Sequence, residues 1–270
     1  MTQPVFLLPL NPGAKALLQG TNENIIQRQL GEAISNTEQI FDSYTSLEIL
    51  YRDLRYEYAK VHGEDEAKIL DKAFEFSKKG YNGLTRVDGP KPYLFHPLEI
   101  AYNLFVIAGI HDKAAVKAAL FHDLVEDTKI TLDEIKQKFG EDVAIIVNDL
   151  TEKKEYLNNA HLTYTASDGK TYNDSFAMKL EHLDRVEKSN NRLSIIIKVL
   201  DRYNNLRTDW SPKSPKVWTM RVPEVQRWFK FIENPLIPKD LRSDILPFLE
   251  CELQKAENYK ALRALDETQQ

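Results

Sequence analysis

A chain of 270 residues, 42% hydrophobic and 29% charged, is long enough for one large domain with an extension. Its 36 basic and 41 acidic residues leave a formal charge of -5, too mild and too evenly spread for a general nucleic-acid binder. The single cysteine, Cys251, excludes an intramolecular disulfide and a thiolate metal cluster and points to a reducing cytoplasm, while no apolar window reaches the roughly 20 residues that a membrane span needs.

Along the chain, Val5-Phe6-Leu7-Leu8-Pro9-Leu10 lacks a preceding basic region and is interrupted by Pro9, so it is not read as a signal peptide. Apolar residues then recur at three and four positions, Pro and Gly fall between the periodic segments, and β-branched alternation is scarce, which predicts an all-α protein. Gln19 to His62 reads as an N-terminal extension of two or three helices. A helix is expected from about Asp65 to Lys79, stopping at Gly80 and Gly83. The polar loop from Thr85 to Pro92 delivers Tyr93 and His96 to the mouth of another helix, with Pro97 in its first turn.

The next helix, Asp112 to Glu126, ends in the most informative stretch, Phe121-His122-Asp123-Leu124-Val125-Glu126-Asp127-Thr128. At about 3.6 residues per turn, His122 and Glu126 share a face with Asp123 and Asp127 beside them. Three carboxylates that close repel one another unless a metal ion or a proton compensates them. Thr131-Leu132-Asp133-Glu134 has the spacing of a capping box for a helix ending at Gly140. Tyr156 to Tyr172 shows little periodicity and reads as a loop or lid. The run Ile195-Ile196-Ile197-Lys198-Val199-Leu200 predicts a buried helix presenting Asp201 at its inner end. Pro223 is expected to open one further helix and Leu241 to Leu265 to form the last. Trp218, Trp228, Phe229 and Phe231 read as core rather than as a base-stacking platform.

His96, His122, Asp123 and Asp201 together offer two imidazoles and two carboxylates, a mixed nitrogen and oxygen set suited to Mn²⁺, Fe²⁺ or Zn²⁺. Glu126 and Asp127 are then left for proton transfer. His62, His111, His161 and His182 have no comparable neighbours and are given no ligand role.

Three segments resemble the HD superfamily of metal-dependent phosphohydrolases, and more narrowly the hydrolase domain of the RelA/SpoT homologues: Pro92 to Pro97, Ala119 to Thr128 and Ile197 to Thr208. The likeness covers about Ala67 to Phe231. It implies an all-helical HD fold, with residues 1–64 as an N-terminal helical extension, 65–233 as the hydrolase domain and 234–270 as a C-terminal helical segment packed on the same domain. By position, the resemblance implies Mn²⁺, or another divalent ion, on His96, His122, Asp123 and Asp201. Glu126 and Asp127 would handle the attacking water, and Arg86, Asn205 and Thr208 would contact the substrate. The implied reaction is removal of pyrophosphate from the 3′ position of ppGpp or pppGpp, in a stand-alone small alarmone hydrolase of the cytoplasm that engages neither nucleic acid nor membrane. Val87, where the family often has a basic residue, a shortened Arg86 to His96 loop and the 156–172 segment depart from the pattern. Alternatives left open are an HD phosphohydrolase of another nucleotide (an adenosine alarmone or NADPH), a non-catalytic alarmone-binding regulator, and an antidote to a toxic synthetase.

Overall fold

The computed structural model describes residues 47–85, 92–152, 163–165, 171–208 and 215–268. The expected helices before Leu47, the Arg86 loop, most of the 156–172 segment, and His161 lie outside the described residues. So does the side chain of Trp218. Within them the architecture is all-α, with one short hairpin as its departure.

Helix α1 (Leu47–His62) places Leu47, Leu50, Leu54 and Tyr58 on one buried stripe, the three-and-four spacing of a half-buried helix. It packs against α2 (Glu64–Gly80), where Tyr51 stacks on Phe74 at 3.7 Å between ring centroids. The described part of the expected N-terminal extension therefore shares the hydrophobic core of everything that follows. Gly80, which closes α2, lets the chain approach Leu124 and Ile130: a Cβ there would lie 2.6 and 2.7 Å from their methyl carbons.

Helix α3 (Phe95–Tyr102) continues into a single π-helical turn, Asn103–Ile107. Helix α4 (Lys113–Phe121) starts where Asp112 accepts a hydrogen bond from the Ala115 N–H at 2.8 Å, an ordinary N-cap, and buries Ala115, Val116, Ala118, Ala119, Leu120 and Phe121. It is the central rod, touching α2, α3 and two later helices. The predicted continuous helix from Asp112 to Glu126 is corrected here. The chain breaks at His122 and Asp123 and resumes as the one-turn α5 (Leu124–Asp127), with Asp123 at φ -99° and ψ -3°, in the bridge region.

The capping box is present: Thr131 and Glu134 exchange hydrogen bonds at the start of α6 (Leu132–Phe139), and Gly140, at φ 100°, turns the chain into α7 (Glu141–Leu150). Inside the segment predicted as a loop, β1 (Thr163–Thr165) pairs antiparallel with β2 (Thr171–Asn173). β-Branched Thr and aromatic Tyr alternate in both strands, a pattern too short to stand out in the sequence. Helix α8 (Asp174–Lys188) follows.

Helix α9 (Arg192–Thr208) contacts α3, α4, α7 and α8, and Asp201 stands at its middle, not at its end as predicted. Helix α10 (Pro215–Ile232) opens at Pro215 and carries Pro223 inside it, which corrects the predicted start. It packs along α11 (Lys239–Thr268). Trp228 and Phe231 are buried in the core. Arg202 does not pair with its neighbour Asp201. It points away to Glu224 of α10 at 3.2 Å and to Glu252 of α11, with all three side chains at 10% exposure or less. This ion triad clamps the back of α9 onto the last two helices.

Removing one member of such a triad strands buried charge, so Arg202→Met is expected to destabilise the protein by about 3–5 kcal/mol in urea unfolding. A loss below about 1 kcal/mol would show that the triad does not hold α9.

Candidate metal centre

Four side chains meet where α3, the α4–α5 break and α9 converge. His96, in the first turn of α3, puts Nε2 3.2 Å from Asp201 Oδ1 and 3.7 Å from Asp123 Oδ2. His122 puts Nε2 3.2 Å from Asp123 Oδ2 and 3.9 Å from Asp201 Oδ1. Both imidazoles are almost fully buried. Donor atoms of His96, His122 and Asp201 lie within 4.8 Å of one another, close enough to share one cation, and Asp123 borders the group.

Hydrogen bonding settles which ring nitrogens face inward. His122 Nδ1 lies 2.8 Å from the Ala119 carbonyl, which can only accept, so Nδ1 carries the proton and the neutral ring offers Nε2 as a lone pair. That Nε2 is buried and faces the carboxylates of Asp123 and Asp201, where in the neutral ring its lone pair is available to a cation. His96 Nδ1 lies 2.7 Å from Asn204 Oδ1, leaving its Nε2 inward as well. Two neutral nitrogens, two carboxylates and a buried setting fit a divalent ion of the borderline class.

The carboxylates are held from outside. Tyr93 donates its hydroxyl to Asp123 Oδ2 at 2.8 Å. Lys198 donates to Asp201 Oδ2 at 3.2 Å, and Asn205 donates to Asp201 Oδ1 at 2.7 Å. Although burial opposes ionisation, Lys198 and the two imidazoles hold Asp201 well below the usual carboxylate range, and His122 and His96 do the same for Asp123. Burial likewise disfavours a charged His122, yet Asp123 and Asp201 outweigh it and push the ring up to about 9. Lys198 stays charged for the same reason: Asp201, Glu152, Glu126 and Asp123 all face it.

Glu126 and Asp127, one turn on, differ in setting. Glu126 is half-buried and accepts the Glu152 N–H at 2.6 Å; burial, then Asp123, pushes its carboxyl up to about 8. Asp127 is exposed; burial of the Tyr93 phenol, then Asp123 and Asp127 beside it, raises that group above its ordinary value. Of the expected substrate contacts, Asn205 has its amide nitrogen on Asp201, Thr208 ends α9 with only its backbone described, and Arg86 lies outside the described residues. Sequence reasoning missed Glu99, Glu152, Lys198 and Asn204. Lys198 alone left a signal, as the only charge in an apolar run one turn before Asp201.

His182 has no place among these ligands: it is buried, with Nε2 3.2 Å from the Asp149 carbonyl and Nδ1 3.6 Å from Glu152. His62 packs against Tyr58 and Phe105.

The sequence model of the HD domain matches residues 73–209 of this chain. The Xenopus tropicalis protein named guanosine-3′,5′-bis(diphosphate) 3′-pyrophosphohydrolase MESH1 is 34% identical over 166 residues, covering 61% of this chain and 82% of its own length. The Aquifex aeolicus guanosine-3′,5′-bis(diphosphate) 3′-pyrophosphohydrolase is 32% identical over 149 residues, 55% of this chain. A Myxococcus xanthus GTP pyrophosphokinase is 30% identical over 150 residues, 56% of this chain. The match spans only 19% and 18% of those two longer proteins.

In the metal-free protein both raised groups bind protons more tightly folded than unfolded. Stability from His122 is full below about 6.5 and lost as pH rises through about 9; from Glu126 it is full below about 4.5 and lost through about 8. The chelated protein should therefore lose melting temperature between about pH 7 and 9, with a shallower slope for Glu126→Gln. A flat or rising profile over that window would contradict these surroundings.

Proposed function

We propose, from the premise that this chain belongs to the HD-domain family and within it to the RelA/SpoT homologues, that it is a metal-dependent 3′-pyrophosphohydrolase of ppGpp and pppGpp. The observation that carries the reading is the convergence of two inward imidazole nitrogens with the buried carboxylate of Asp201 and the half-buried carboxylate of Asp123, and with the half-buried Glu126 one turn away. His96, His122, Asp123 and Asp201 would hold the ion, and we take Mn²⁺ as the resident metal. When bound, a divalent ion supplies Lewis-acid polarisation of a phosphoryl oxygen and lowers the pKa of a water from about 15.7 towards 7.

The chain's own groups do the rest. Glu126, with its carboxyl raised to about 8, is tuned to accept a proton near neutrality, and its hydrogen bond from the Glu152 N–H fixes one oxygen so that the other is oriented. Asp127, which is exposed, would share the handling of that proton. Water adds to the phosphorus attached to the 3′ oxygen, the bond between them breaks, the ribose oxygen takes up a proton, and GDP (or GTP) and pyrophosphate leave. Lys198 keeps a positive charge beneath Asp201, so the centre can accept an anionic diphosphate with less repulsion from its carboxylates.

Arg86 and Thr208 are proposed to contact the nucleoside, while Asn205, whose amide is committed to Asp201, acts through that ligand. We assign the hydrolase to residues 65–233, with 1–64 as an extension and 234–270 packed against it, and place the protein in the cytoplasm. Among the described residues no helix is long and apolar enough to cross a membrane.

Metal-stripped protein should leave guanosine tetraphosphate intact and, on adding Mn²⁺, yield GDP and pyrophosphate, resolved by anion-exchange chromatography. Asp123→Ala should lower turnover by about a thousandfold or more, equivalent to roughly 4 kcal/mol of barrier. Wild-type turnover in that variant would overturn the ligand assignment, and no product from the wild type would overturn the substrate.

A further inference from the structure

Behind His96 lies a polar chain, buried at Asn204 and half-buried at Glu99, that no step of the reaction uses. Its Nδ1 meets Asn204 Oδ1 at 2.7 Å, and the Asn204 amide nitrogen meets Glu99 Oε2, also at 2.7 Å. Asn204 is 1% exposed and stands one turn beyond Asp201 on α9, whereas Glu99 stands one turn beyond His96 on α3. The two residues thus tie together the two helices that carry facing ligands.

The chemistry of the chain allows one arrangement. A carboxylate oxygen only accepts, so Glu99 requires the NH₂ end of Asn204. The carbonyl end of Asn204 must then face His96, and a carbonyl also only accepts, so His96 Nδ1 must carry its proton. With Nδ1 protonated, the neutral ring exposes its lone pair at Nε2, the atom 3.2 Å from Asp201. Reversing the amide opposes two acceptors at the half-buried Glu99 link, and reversing the His96 tautomer opposes two acceptors at the buried link, where the cost is about 1–3 kcal/mol. We propose that Glu99 and Asn204 form an outer pair that fixes the tautomer of His96, making both of them positioning residues for the metal centre.

This inference rests on the metal reading above. It accounts for a fully buried amide beside a ligand, and it explains why a carboxylate is placed one turn along α3 where it can read the amide's orientation. Glu99 needs no contact with the metal or the substrate to act.

The test uses the full chain and the metal alone. Mn²⁺ affinity is measured by electron paramagnetic resonance for the wild type, Asn204→Leu, Glu99→Gln and Glu99→Asp. In parallel, ¹⁵N-histidine spectra of the metal-stripped proteins at alkaline pH, where imidazoles are neutral, report the His96 tautomer. Asn204→Leu should weaken Mn²⁺ binding by about 10–100-fold and release the Nδ1–H tautomer. Glu99→Gln, nearly isosteric, offers Asn204 either a donor or an acceptor, and it should populate both tautomers and weaken binding by a smaller factor. Glu99→Asp, which keeps an acceptor-only group, should restore the single tautomer.

If Asn204→Leu and Glu99→Gln only lower melting temperature while the tautomer and Mn²⁺ affinity stay as in the wild type, the pair is structural and the inference is overturned. If the wild type binds no Mn²⁺, the metal reading fails, and the spectra of the stripped proteins still decide whether the pair sets the tautomer.

Discussion

Two carboxylates, Asp123 and Asp201, are drawn to the same pair of imidazoles in the interior of a helical protein, and that concentration of negative charge is the constraint on which the rest depends. In so little water, like charges are tolerable only beside positive charge and oriented donors. The protein supplies both. Lys198 lies under Asp201, Tyr93 and Asn205 donate to the carboxylate oxygens, and each imidazole is locked from its far side so that a nitrogen lone pair faces in. The centre that these groups surround is where we propose that a divalent ion sits.

The scaffold serves that assembly. Helix α4 is buried along nearly its whole length, and its end at Phe121 lets His122 fold back to the Ala119 carbonyl while Asp123 adopts a bridge conformation that an intact helix would not allow. The close approach permitted at Gly80 seats Leu124 directly after the pair. On the opposite side, α9 is gripped between its two faces, with Asp201 towards the site and Arg202 towards Glu224 and Glu252. Adjacent residues thus serve two ends: one acidic group faces the candidate metal centre, and its basic neighbour anchors the helix that carries both.

Much of this was legible in the residues. The helical periods, the capping box at Thr131 and Glu134 and the buried run before Asp201 are local patterns written in side-chain type and spacing, and the residues that gather at the candidate centre, far apart in the chain, were marked by their type. The break at His122 was not legible, because Leu124 and Val125 continue an apolar rhythm across it and only the His122 to Ala119 hydrogen bond marks the turn. Nor was the direction of Arg202, since its partners lie 22 and 50 residues away. Glu152 and Glu99 act through contacts made only after the helices pack: a backbone amide for Glu126 and an amide side chain 105 residues distant. The short β1–β2 hairpin was hidden because three-residue strands carry too little alternation to read.

We propose that one divalent ion sits among His96, His122, Asp123 and Asp201. Anomalous diffraction at the manganese absorption edge, from crystals of the Mn²⁺-loaded protein, tests it most directly. A single strong anomalous peak is expected within coordination distance of both Nε2 atoms and of an oxygen from each carboxylate. A peak elsewhere, or a site empty of anomalous signal with the two imidazoles bonded only to the carboxylates, would contradict it.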